Sequence, residues 1–160
     1  MSRRRRRCLV SAPAFALLIA SAGCSSADEA AEAAVPTPDS KVTELCRNLD
    51  KQLPKKVDGL GRADPEPKSE LTAGWGDPAI ILRCGVARPT EMNNPEADGV
   101  TADGVNWLLD EQDDGSFRFT STLRKAYVEV TLPKERAGSG VSPLTDFAAP
   151  IKKAIPKGIA

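Results

Sequence analysis

The chain has 160 residues, four cysteines, no histidine, 4% aromatic residues and a formal net charge of zero. That is a one-domain length, and the missing histidine excludes Ser-His-Asp and Cys-His nucleophile sites and makes a zinc site improbable. Five of the 22 basic residues are Arg3 to Arg7, so from Cys24 onward seventeen basic residues stand against 22 acidic ones, a net charge of −5. With no other basic cluster, that stretch is a poor candidate for nucleic acid or for an anionic membrane face.

Arg3 to Arg7 precede "CLVSAPAFALLIA", an apolar run from Cys8 to Ala20 that contains Pro13. Thirteen residues fall short of the roughly twenty that a spanning helix needs. A basic start, a short apolar run and small residues after it read as an export signal over residues 1–23. A basic nucleic-acid-binding arm is the competing reading, but no aromatic residue interleaves the arginines. In "ASAGCSS", Ala22, Gly23 and Cys24 match the lipobox of bacterial lipoproteins, in which the cysteine is diacylated and becomes the new N-terminus. Ser21 departs from that pattern, and plain secretion after a small-residue site is the alternative. The arginine run also resembles a twin-arginine signal, so the export route stays open.

Residues 24–38 are small, acidic and proline-punctuated, and are expected to be a disordered tether. A single α+β domain is expected over 39–160. Val42, Leu45, Cys46, Leu49 and Leu53 form one apolar stripe of a helix, with Asp39 placed to cap it and Pro54 to end it. Residues 55–74 carry Gly59, Gly61, Pro65 and Pro67 and read as an irregular loop. Ala79 to Val86 follows as a strand, in which Ile80, Leu82, Cys84 and Val86 share one face and Arg83 takes the other.

After export, Cys8 leaves with the signal and Cys24 goes to lipid, so Cys46 and Cys84 remain in an oxidising compartment. Neither a metal site nor a catalytic thiol finds supporting histidine. A Cys46–Cys84 disulfide is expected, two buried free thiols being the alternative. Period-2 alternation and the helical stripe place both cysteines on apolar faces independently.

"NNPEADGVTADGV" reads as turn-rich. Strands are expected at about Val105 to Glu111, Ser116 to Thr122 and Ala126 to Leu132, with Asp114-Gly115 turning a hairpin. A last helix starts at Ser142-Pro143 and carries Leu144, Phe147, Ile151 and Ile155 on one face, with Pro150 expected to kink or interrupt it. The fold class expected is α+β: about four antiparallel strands, an N-terminal and a C-terminal helix packed on one face, and a helix-to-strand disulfide.

Chemical motifs are sparse. "DEQDDG", with Asp110, Gln112, Asp114 and Gly115, resembles the start of a calcium loop, but its twelfth position is Ser121 where a bidentate glutamate belongs. A polar hairpin tip is the ordinary reading. Trp75 and Trp107 are candidates for stacking on a ligand or for core. Arg83 is expected to project from the uncovered face of the sheet, either paired with a cross-strand acid such as Glu129 or contacting a partner's carboxylate. No metal and no cofactor is expected.

"LTAGWGDPAIILRCGV", together with Leu45-Cys46 and "GVNW" at Gly104 to Trp107, resembles the actinobacterial secreted proteins and lipoproteins grouped as domain of unknown function 3515. The resemblance covers about Val35 to Pro156. It implies an extracytoplasmic envelope protein with two paired cysteines and assigns no catalytic residue. The expected function is a non-catalytic binding module, anchored to the extracytoplasmic face of the cell membrane by lipid on Cys24 and meeting an envelope protein or cell-wall polymer; Arg83, Trp75 and Trp107 are its candidate binding residues. A small carrier of an apolar ligand, held between sheet and helices, is the alternative, and a hydrolase is third.

Overall fold

The computed structural model describes residues 30–160. The expected signal over 1–23 and Cys24 lie outside the described residues. Helix α1 (Ser40–Asp50) begins where the Val42 N–H donates to Asp39 Oδ1 at 2.9 Å, so the expected cap forms. Cys46 and Leu49 are buried on its stripe, and Val42 and Leu45 pack at its margin; the helix ends at Asp50, short of Pro54, and Leu53 packs against the core from the segment that follows. Strands β1 (Lys56–Val57) and β2 (Leu60–Gly61) make a small hairpin turned by Asp58 and Gly59, both at positive φ. The Asp58 carboxylate accepts hydroxyl bonds from Ser139 (2.7 Å) and Ser142 (3.2 Å), tying the hairpin to the chain entering the last helix.

The main sheet has six antiparallel strands: β3 (Thr72–Trp75), β4 (Ile80–Cys84), β5 (Gly99–Ala102), β6 (Val105–Glu111), β7 (Phe117–Ser121) and β8 (Val128–Leu132). Their order is β3-β4-β8-β7-β6-β5. The expected count of about four is therefore corrected to six. Strands β1 and β2 and the first three residues of β3 lie inside the expected loop 55–74. All four residues of β3 are buried, so it shows no alternation. Strand β5 lies inside the turn-rich stretch. It is four residues long and joins β6 through Asp103-Gly104 at φ 44° and 76°, the two-residue geometry that matches strand twist.

The register Leu82↔Val130↔Phe119↔Leu109 sets these side chains on one side of the sheet. Ile80, Leu82, Cys84, Val128, Val130 and Leu132 are buried there, and burying such an aliphatic side chain contributes about 1.5–3 kcal/mol. The disulfide joins Cys46 to Cys84 with Cα atoms 5.5 Å apart, fixing α1 to this side. Its sequence separation of 38 corresponds to roughly 3–4 kcal/mol in the chain-entropy account. Helix α2 (Ser142–Ala154) lies beside α1 and sets Phe147 against Trp75, ring centroids 5.1 Å apart. The helix is not interrupted at Pro150 but continues to Ala154. Among the described residues, no helix is long and apolar enough to cross a membrane.

Among the described residues, the opposite side of the sheet carries no α-helix, only the short 3-10 turn at Thr90–Asn93. Residues 31–38, inside the stretch expected as tether, lie against the domain: the Ala33 N–H donates to the Glu66 carbonyl (3.0 Å) and the Glu66 N–H to the Ala31 carbonyl (2.8 Å). Pro38 abuts Gly85, where φ is +87° and an added Cβ would stand 2.6 Å from the proline ring. Glycine is required there on both counts. It ends β4 and sends the chain across the helix-free side.

Candidate functional site

The centre of the helix-free side is a row of charges built by strand register. Arg83 on β4 faces Glu129 on β8. Its Nε and Nη2 lie 2.9 and 2.7 Å from Glu129 Oε1, and its Nη1 reaches the Ala34 carbonyl at 3.4 Å. Arg118 on β7 stands 3.6 Å from Glu129 Oε2 and 3.8 Å from Asp110 Oδ2 on β6. Glu129 is 5% exposed, so it needs these cations: a buried carboxylate without a partner is costly. The loop 86–91 passes above this row and encloses a hollow of about 300 Å³ lined by Arg83, Leu108, Arg118, Thr120 and Glu129. On the loop, the Glu91 carboxyl sits below its usual range, held by its own backbone N–H, by the Thr90 hydroxyl at 3.0 Å and by the charge of Arg118.

Two larger grooves flank the row. One, of about 540 Å³, lies between residues 34–39 and Arg83, Val86 and Tyr127. The other, of about 550 Å³, lies toward β5 and β6 and is lined by Met92, Val100, Leu108, Leu123, Tyr127 and Ile159 among others. Leu123 is 61% exposed and Ile159 83%, two of the three large apolar side chains that the described residues leave exposed. Arg88 borders all three spaces, and its guanidinium is occupied by Asn93 Oδ1 and the Met92 carbonyl, which ties the loop to the short turn of helix at Thr90–Asn93.

The three residues singled out from the sequence are not brought together. Arg83 lies on the helix-free side as expected, in the pair with Glu129. Trp75 is fully buried on the helix side, where its indole N–H donates to the Pro54 carbonyl at 3.0 Å and the Arg62 guanidinium lies 5.0 Å from its ring centroid. Trp107 is 1% exposed; it borders the β5–β6 groove, and its indole N–H has no acceptor among the described residues. The "DEQDDG" segment is the hairpin tip: Asp110 accepts from Gln112 Nε2 (2.7 Å) and Asp114 from the Ser116 N–H (2.9 Å). Leu123, Ile159 and Arg118 were missed. The groove assembles from segments far apart in the chain, and no local pattern marks an apolar residue as exposed.

The residues carrying the earlier resemblance have plain structural duties. Gly76, at φ 77°, and Pro78 turn β3 into β4, and Arg136 grips that turn through the Pro78 and Asp77 carbonyls at 2.7 and 3.1 Å. Cys84 and Gly85 hold the disulfide and the exit from β4. No curated protein and no solved structure matches the chain. A family model does match over residues 8–159, and the chain belongs to that family, described as protein of unknown function (DUF3515).

Proposed function

We propose that the chain is a non-catalytic binding module of the cell envelope, exported by its N-terminal signal, anchored through lipid on Cys24, and meeting an envelope partner with the helix-free side of its sheet. The observation that carries the reading is the asymmetry of the two sides. The hollow between α1 and β4, lined by Cys46, Leu49, Leu53, Leu82 and Cys84, has no room for even a water molecule. The helix-free side instead offers an open groove rimmed by exposed Leu123 and Ile159. Exposed apolar rims of this kind mark association surfaces. From Cys24 to Ala31, where the chain docks on the domain, the backbone spans at most about 25 Å. A lipid at Cys24 therefore holds the domain close to the membrane surface.

Two variants test the reading separately. Cys24→Ser releases the protein from the membrane fraction; a wild type already free in the medium would overturn the anchoring. Leu123→Asp keeps the melting temperature within a few degrees, because the side chain is exposed, and lowers retention of the co-purifying partner. Full retention would remove the groove from the account.

The carrier reading keeps one observation in its favour: about 550 Å³ falls within the range of small-ligand sites. Native mass spectrometry of protein taken from the envelope separates the two, since a carrier retains a small apolar molecule.

A further inference from the structure

The two edges of the sheet are not equivalent. Beside β3, the Ala63 N–H donates to the Gly74 carbonyl (2.8 Å) and the Gly76 N–H to the Gly61 carbonyl (3.0 Å), so that edge is closed. Among the described residues, nothing pairs with the β5 edge. Ala102 pairs with Val105 across the two-residue turn, and the Leu109 N–H donates to the Asp98 carbonyl at 2.9 Å. Antiparallel alternation then directs the backbone groups of residues 98, 100 and 102 toward β6 and those of Gly99 and Thr101 outward. Both residues are exposed, and their backbone groups have no partner among the described residues. Such an edge is a template for one more strand.

We propose that β5 receives an extended polypeptide segment of the partner as a seventh strand, apolar at alternate positions and basic at the end that meets Asp98. The inference rests on the binding-module reading above and adds the partner's chemistry. Gly99 and Thr101 border the apolar groove as well as the edge, so side chains on one face of an added strand lean toward Leu108 and Leu123. Gly99 has no side chain to block that approach. Glu96 and Asp98 are exposed and form no ion pair among the described residues, which suits lysine or arginine on the incoming segment. A second copy of this chain fits worse. Antiparallel self-pairing through the outward groups of Gly99 and Thr101 lays residues 96–103 of the two copies side by side; this stretch carries Glu96, Asp98 and Asp103 and no lysine or arginine, and like charges brought together across strands are unfavourable.

The test uses the full chain, labelled with ¹⁵N, and a synthetic seven-residue peptide of alternating valine and threonine with a lysine at each end. On titration, the Gly99 and Thr101 amides shift and exchange at least tenfold more slowly at saturation, while Val100, already bonded to Trp107, changes less. Thr101→Pro removes an outward donor that the β5–β6 ladder does not use and abolishes the effect. If that variant does not fold, the peptide N-methylated at alternate residues serves instead and does not bind. Glutamate in place of both lysines weakens binding at least threefold. Unchanged Gly99 and Thr101 amides, or equal binding by the N-methylated peptide, would overturn the proposal. So would protection of the same amides by self-association without peptide. Each of these outcomes leaves the Leu123→Asp result standing on its own, so failure at the edge is distinguishable from failure of the module reading.

Discussion

Arg83 and Glu129 oppose each other across β4 and β8, and two guanidinium nitrogens converge on one carboxylate oxygen. Glu129 is nearly sealed and Arg83 only partly so, with side chains 7% and 27% exposed. The arginine therefore neutralises a buried charge while keeping part of its own surface in water. Arg83→Ala leaves Glu129 to the more distant Arg118. The expected loss is about 1–3 kcal/mol, below the cost of breaking a fully buried pair because Arg118 and solvent compensate in part. Adding Glu129→Gln recovers part of that loss, and a double-mutant cycle in urea measures it. Unchanged stability in Arg83→Ala would show that the pair contributes nothing.

The disulfide gives a second expectation. Denatured, unreduced protein yields no titratable thiol from Cys46 or Cys84, and reduction lowers unfolding free energy by roughly 3–4 kcal/mol. Free thiols in protein recovered from the envelope would contradict it.

This pairing was legible because two patterns of different period converged on it: the i, i+3, i+4 stripe of α1 and the alternation of β4 each placed a cysteine inward. The same alternation set Arg83 on the helix-free side and pointed to Glu129. Edges and docked segments were less readable. Thr72 to Trp75 is buried on both faces, and Gly99 to Ala102 is only four residues long between turn-forming stretches, too short to show a period. Asp103-Gly104 is the same dipeptide as Asp114-Gly115, but it sits in a stretch read as turn-rich throughout, and its positive φ pair shows it to be a hairpin turn. Residues 31–38 resemble a linker in composition, yet they are held by backbone bonds to Glu66, which composition does not encode.

The hairpin tip supplies a pH dependence. Asp114 is held below the ordinary aspartate range first by the Ser116 hydroxyl and then by the Ser116 backbone N–H. A carboxyl lowered in the folded state stabilises the fold at pH values above its unfolded pKa, and that contribution disappears as pH falls through the folded pKa. In an NMR titration, Ser116→Ala moves the Asp114 midpoint upward, toward but not onto the ordinary value, because the backbone N–H remains. A midpoint that does not move would remove the hydroxyl from the explanation.

The central claim is that the helix-free side meets a partner. A photo-crosslinking residue placed at position 123, and separately at Glu44, exposed on α1 across the sheet, tests it most directly in intact cells. The account predicts a discrete crosslinked species from position 123 and none from position 44. Crosslinks of equal yield from both positions, or a discrete species from position 44 alone, would contradict it.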